Sequence, residues 1–292
     1  MQKQVLAIHD ISCMGRCSLT VALPILSANG IYTSILPTAL LSTHTAGFSG
    51  YTFIDLTENM KQTKAHWEKL LKETAPPLPL DGIYTGYLGS KEQIQIVIDV
   101  INAFKTSETK IIVDPVMGDN GKLFPAFNQE YAKEMAKLCA HADYIIPNIT
   151  EAVFLTNVSY KEPPYNLEYL NSLFNALDKK FPKTKALITG AIFESASKEK
   201  EIGSVMREDL KIKAINHKYY DEYFHGAGDV FGSVFTAKII NGRSPEEAAR
   251  FAGDFTLKSI EQTKKQITLY NLPSSYARFG LNFEQVLAEA RS

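Results

Sequence analysis

Tyr223-Phe-His-Gly-Ala-Gly-Asp-Val-Phe-Gly-Ser-Val-Phe235 sets a small-residue turn, Gly226-Ala227-Gly228, directly before Asp229 and a run of small and apolar residues. Glycine lets the backbone approach another backbone or a ligand closely, and a helix starting there aims unpaired N–H groups outward. Such an end attracts an anion, phosphate above all. Asp229 is the odd element, because a carboxylate repels a bound phosphate. Two readings stand side by side. It is a base facing a hydroxyl that attacks the phosphate, or an N-cap after a glycine turn, a position Asp favours.

On the upstream side, Glu201–Met206 and Lys211–His217 read as a hairpin or edge strands around the charged turn Arg207-Glu-Asp209. Downstream, the helix runs to Ile240 and stops at Asn241-Gly242. Ser244-Pro-Glu-Glu247 is a capping box that opens a further helix through Lys258. Nearer the N-terminus, strand-length apolar runs at Val5–His9, Ile31–Leu36, Gly82–Thr85, Lys110–Asp114, Tyr144–Ile146 and Ala186–Thr189 alternate with helical patterns. The helical patterns are Ser18–Ala28, a stretch holding Trp67–Lys72 before the Pro76–Pro79 break, Lys91–Phe104, Tyr131–Ala140, a helix opening at Thr150–Leu155, and Leu167–Lys180. This alternation predicts an α/β fold: a Rossmann-like three-layer α/β/α arrangement with a mostly parallel central sheet. With no composition break, long linker or repeat, residues 1–292 are expected to form a single domain. The pattern does not place the tail after Leu272, although Tyr276–Phe283 carries aromatics suited to docking on the body.

The chain of 292 residues has a net charge of −1, so no overall field points to nucleic acid or an anionic membrane. No apolar run reaches the roughly 20 residues that span a bilayer. Met1–Ile8 turns polar too soon for a signal peptide and reads as a first strand. Three cysteines, Cys13, Cys17 and Cys139, cannot all pair and fit a reducing, cytoplasmic setting. No Cys/His set completes a zinc site, and they read as small apolar residues.

In open α/β sheets ligands bind beyond the carboxyl ends of the strands. The polar residues there are His9-Asp10, Thr85-Gly86-Tyr87, Asp114-Pro-Val-Met-Gly-Asp119 and Pro147-Asn148-Ile-Thr-Glu151. Asp114 and Glu151 are oxygen ligands of the kind that hold magnesium beside substrate phosphates. Singly, Asp-Pro starts a turn, Glu151 complements a helix dipole and Asn148 caps that helix. The chain has no GxxxxGK[ST] motif and no GxGxxG after its first strand, which disfavours P-loop ATPases and ordinary dinucleotide enzymes. Leu41-Ser-Thr-His-Thr-Ala-Gly-Phe-Ser-Gly50 reads as a turn-rich loop with donors, acceptors and an imidazole. His9, His66, His141 and His217 show no partners and read as structural or exposed.

Together Leu41–Thr45, Thr85–Ser90, Asp114–Asp119, Pro147–Glu151 and Gly226–Asp229 resemble the pyridoxal kinase family, within the ribokinase-like superfamily. The resemblance runs from the first strand to about Lys258. It implies transfer of the ATP γ-phosphoryl to the 5′-hydroxyl of pyridoxal, pyridoxine or pyridoxamine, in salvage of pyridoxal 5′-phosphate. It gives Asp229 the role of base, and the amides of Gly226, Ala227 and Gly228 that of anion hole. Asp114 and Glu151 would organise Mg2+; Asn148, Thr189 and Gly190 would line the ATP side; Thr45 and Tyr87 would hold the pyridine ring, with His44 beside them. The family's usual serine after the first strand is Asp10 here, a carboxylate suited to a pyridinium or another cationic group. The resemblance also implies a homodimer. Two rivals remain: a kinase for hydroxymethylpyrimidine, also a flat heterocycle with a primary alcohol, and a non-catalytic vitamin- or nucleotide-binding protein.

Overall fold

The computed structural model describes residues 2–73, 80–194 and 199–291. The first third of the chain forms β1 (Gln4–Ile8), β2 (Ile11–Met14), α1 (Leu19–Ala28), β3 (Tyr32–Ile35), β4 (Ala39–Thr43), β5 (Phe53–Asp55) and α2 (Thr57–Glu73). The middle forms β6 (Gly82–Thr85), α3 (Lys91–Phe104), β7 (Lys110–Val113), the hairpin β8 (Gly118–Asp119) and β9 (Lys122–Leu123), α4 (Gln129–Cys139) and β10 (Tyr144–Ile145). Then come α5 (Ile149–Thr156), α6 (Leu167–Lys180), β11 (Lys185–Glu194), β12 (Lys200–Glu208), β13 (Lys211–Lys218), α7 (Ala227–Ile240) and α8 (Pro245–Leu269).

Eight strands make the main sheet in the order β13-β12-β11-β10-β7-β6-β1-β3. Pairing is parallel from β3 to β11 and antiparallel across β11, β12 and β13. The parallel strands are apolar on both faces. Ile83, Ile111 and Val113 pack with α3 to α6, while Tyr84 and Ile112 on the alternate positions pack with α1, α7 and α8. A strand buried on both sides reads as a continuous apolar run, which is why these strands were visible in the sequence. The expected α/β arrangement, a large mostly parallel sheet flanked by helices, is what the chain forms. The β12–β13 hairpin closes on Asp209-Leu210, both at positive φ (47° and 62°), the left-handed conformations that match a two-residue turn to strand twist.

Several expectations need correcting. Leu41–Thr43 belongs to β4, so only the rest of the Leu41–Gly50 stretch is loop. It pairs with β2 and β5 in a separate three-stranded sheet that local patterns could not reveal, since each strand is short and its partners are distant. The helix expected to reach Lys258 continues to Leu269, because no Gly or Pro follows between Lys258 and Leu269. The Pro76–Pro79 break lies outside the described residues. After α8 the tail does dock: Leu281 and Phe283 are buried with α1 and α8. No described helix is long and apolar enough to cross a membrane.

Candidate active site

A cleft of about 1040 Å³ follows the carboxyl edge of the main sheet and brings together every residue singled out above: Asp10, His44, Thr45, Tyr87, Asp114, Asn148, Glu151, Thr189, Gly190, Gly226, Ala227, Gly228 and Asp229. Their convergence follows from topology, since parallel strands deliver all their following loops to one edge.

At its centre lies the start of α7. Gly226 is the N-cap, at φ 74°, and Ala227, Gly228 and Asp229 are the first helical residues. Their N–H groups therefore have no partner within the helix. A Cβ on Gly226 would run into the backbone carbonyl of Arg16, so only glycine permits both this turn and this approach. Asp229 is not the cap. Its carboxylate accepts a hydrogen bond from Cys17 Sγ at 3.1 Å, with the Ser18 amide beside it. Burial pushes its pKa up, and those two donors oppose the rise.

Asp10 continues from β1 into the same end of the cleft. It accepts from Ser12 Oγ at 3.2 Å and from the Ser18 hydroxyl, and is 5% exposed. Burial, with the Asp229 charge nearby, pushes its pKa up to about 6. Tyr87 follows Gly86, where a Cβ would collide with the imidazole of His9. His9 is itself fully buried, as a structural residue should be, and burial lowers its pKa to about 3. His44 is buried, and its Nε2 lies 2.6 Å from the Arg278 carbonyl, to which it donates. Thr45 is exposed at the rim.

Farther along, Asp114 and Glu151 are both buried, 9% and 4% exposed. Asp114 lies well above the usual carboxylate range, first through burial and then through repulsion from Glu151 and Asp229. Glu151 is raised by burial, against hydrogen bonds from the backbone of Asn148 and Met117. No described lysine or arginine pairs with either. Two adjacent uncompensated carboxylates fit a divalent cation. Among the described residues no group of three such ligands exists, so the cation would complete its shell with water and phosphate oxygens, as magnesium does. Glu151 also completes the α5 capping box with Asn148, whose Nδ2 donates to the Gly118 carbonyl at 2.9 Å. Asn148 therefore caps α5 and Glu151 is a first-turn carboxylate of that helix, alongside their place in the cleft wall. Thr189 and Gly190 sit where the β11–β12 register shifts, a bulge that re-aims the strand end beside Asn148.

Sequence reasoning missed other wall residues. Cys17, which reads as small and apolar, touches Asp229, and Cys13 is exposed; of the three only Cys139 is core filler. Asp119, to which the motif gives no role, accepts from Tyr223 Oη at 3.0 Å across the cleft. His217, read as unpartnered, pairs with Asp254 at 3.0 Å and lines the far end. These contacts join residues 37 to 212 positions apart, which no local spacing encodes. Only position near a strand end or glycine turn could have flagged Cys17.

Comparison with known proteins agrees with this geometry. A Bacteroides thetaiotaomicron protein assigned to the phosphomethylpyrimidine kinases, solved with pyridoxal, is 36% identical, with a TM-score of 0.86 over 100% of this chain and 96% of that one. The pyridoxal kinase of Lactobacillus plantarum is 27% identical, with a TM-score of 0.85 over 99% and 96%. A Dictyostelium discoideum pyridoxal kinase is 28% identical over 166 residues, 52% of this chain and 51% of that protein, so the match spans about half of that relative. The likeness to pyridoxal kinases carried by the motifs is thereby borne out. A family model described as phosphomethylpyrimidine kinase matches residues 23–273, and the chain belongs to that family.

Proposed function

We propose that this protein is a kinase that moves the γ-phosphoryl group of ATP to the 5′-hydroxyl of a B6 vitamer: pyridoxal, pyridoxamine or pyridoxine. The observation that carries the reading is the first turn of α7, which sets a half-buried carboxylate, Asp229, directly after the free amides of residues 227 and 228. Those amides would hold the equatorial oxygens of the phosphoryl group as it leaves the β-phosphate. Asp229 would receive the hydroxyl proton as the new O–P bond forms. A loose transition state releases that proton late, so placement of the base matters more than its strength. A pure binder has no use for a base at this point, which argues against the non-catalytic rival.

The remaining wall residues divide the cleft. Asp10, His44, Thr45 and Tyr87 would bind the vitamer ring, the hydroxyl and ring of Tyr87 giving a flat heterocycle both a face and a polar edge. Asn148, Thr189 and Gly190 would line the nucleotide side. Asp114 and Glu151 would hold magnesium and its waters, which would neutralise charge on the ATP phosphates. The packing of both apolar clusters on one sheet supports a single domain over residues 1–292. Three free cysteines support a cytoplasmic setting. Exposed Met14, Phe53 and Ile54 on the small sheet support a homodimer, which a monomer mass in light scattering at micromolar concentration would reject.

The description of the matched family favours a second reading, a hydroxymethylpyrimidine kinase. A coupled ADP-release assay with the three vitamers and hydroxymethylpyrimidine separates the two. Turnover highest with a vitamer is expected, and Asp229→Ala should lose most of it while binding nucleotide and vitamer normally. Turnover confined to hydroxymethylpyrimidine, or near-normal turnover by the variant, rejects the respective assignment.

A further inference from the structure

We propose that Cys17 is a positioning residue for phosphoryl transfer: its thiol and the Ser18 amide together hold the Asp229 carboxylate beside the first turn of α7. This rests on the reading of Asp229 as base. Cys17 Sγ lies 3.1 Å from Asp229 Oδ2, and the Ser18 amide acts on the same carboxylate. The backbone is bent to achieve this. Ser18 stands at φ 55°, ψ −125°, a region L-residues avoid, and it precedes α1 without making a side-chain cap bond. Its hydroxyl goes to Asp10 instead. Such strain persists only where surrounding structure over-determines it.

The surroundings do so here. Arg16 N donates to the Phe279 carbonyl at 2.8 Å, and Arg16 Nε to Glu284 at 2.6 Å. The Arg16 carbonyl lies against Gly226, while Cys17 N donates to Thr20 Oγ1 at 3.1 Å. Residues 16 to 18 are thus clamped between the tail, α1 and the glycine turn, and they present a thiol and an amide to Asp229. Both donors are neutral. A lysine or arginine in their place would suppress the basicity of Asp229 and draw the phosphoryl group away from the amides. Burial raises the Cys17 pKa well above its usual value, so the thiol keeps its proton and remains a donor.

The test compares full-length wild type, Cys17→Ala, Cys17→Ser, Asp229→Ala and the Cys17→Ala/Asp229→Ala double variant. Readouts are kcat and KM for ATP and pyridoxal, with ADP and pyridoxal affinities by calorimetry. Loss of one hydrogen bond to a charged group lowers kcat of Cys17→Ala about tenfold, with KM for ATP and both affinities unchanged. Cys17→Ser, which keeps a donor, retains kcat within about twofold of wild type, well inside that tenfold loss. In the Asp229→Ala background the cysteine change costs nothing further, because the two act as a unit. If alanine unfolds the protein, Cys17→Val fills the space without a donor and takes its place. Wild-type kcat in Cys17→Ala, or equal losses in the serine and alanine variants, overturns the positioning role while leaving the base intact. An active Asp229→Ala variant overturns the base reading itself.

Discussion

Gly226→Ala is the substitution whose consequence the structure fixes most tightly. The residue sits at φ 74°, where an L side chain costs about 1–2 kcal/mol. The new Cβ would also overlap the Arg16 carbonyl oxygen, a backbone atom that cannot swing aside. Overpacking of this kind costs about 1–3 kcal/mol. The sum is a loss of roughly 2–5 kcal/mol, from a total stability of about 5–15 kcal/mol. Gly228→Ala is the matched control. Its φ is not positive and nothing lies within 4 Å of the added atom, so its stability should stay within about 0.5 kcal/mol of wild type. Its methyl group nevertheless enters the cleft beside the free amides, so turnover should fall while the fold is intact. Equilibrium urea denaturation, with unchanged slope, gives the stabilities, and ADP release gives the turnover. A Gly226→Ala protein as stable as wild type, or one less perturbed than Gly228→Ala, would refute the steric argument.

Two predictions concern Asp10. Its folded pKa of about 6 exceeds the ordinary 3.8, so between about pH 4 and 6 the native state keeps a proton that the unfolded chain has lost. Stability contributed by this group therefore falls as pH rises through that window, by about 3 kcal/mol in all. Asp10→Asn removes the slope, and its stability relative to wild type should climb by that amount from pH 4 to 6.5 and then level off. A difference independent of pH would contradict the assignment. This comparison is needed because His9 and His225, held neutral by burial with pKa values of about 3 and 4, impose the opposite slope on both proteins. In catalysis, Asp10→Ser should shift the ratios of kcat/KM among the three vitamers away from cationic forms; unchanged ratios reject a role in selectivity.

Legibility in the sequence followed the range of the interactions. Strands such as Lys110–Val113 and helices such as Leu167–Lys180 are governed by burial on one or two faces, and their patterns repeat within a few residues. The capping boxes at Asn148 and Ser244 are equally local and equally readable. The site residues at strand ends were found because chain topology, rather than any pairwise contact, carries them to one edge. What stayed hidden depends on partners distant in sequence: the small sheet of β2, β4 and β5, and the thiol of Cys17 on Asp229. The cap reading of Asp229 failed for a related reason. Local preference cannot distinguish Asp at the cap from Asp three residues inside, and the Arg16 carbonyl decides by admitting only glycine at the cap.

The docking of the tail has a consequence for how the protein comes into being on the ribosome. Arg16, which backs the glycine turn, is tied to Phe279 and Glu284, and His44 to Arg278. Contacts separated by 268 residues are the slowest and most entropically demanding to close. During synthesis, the sheet and the glycine turn can assemble long before residues 278–284 emerge. A nascent chain that has already formed the glycine turn thus lacks the buttress behind it until residues 278–284 follow and close on Arg16 and His44.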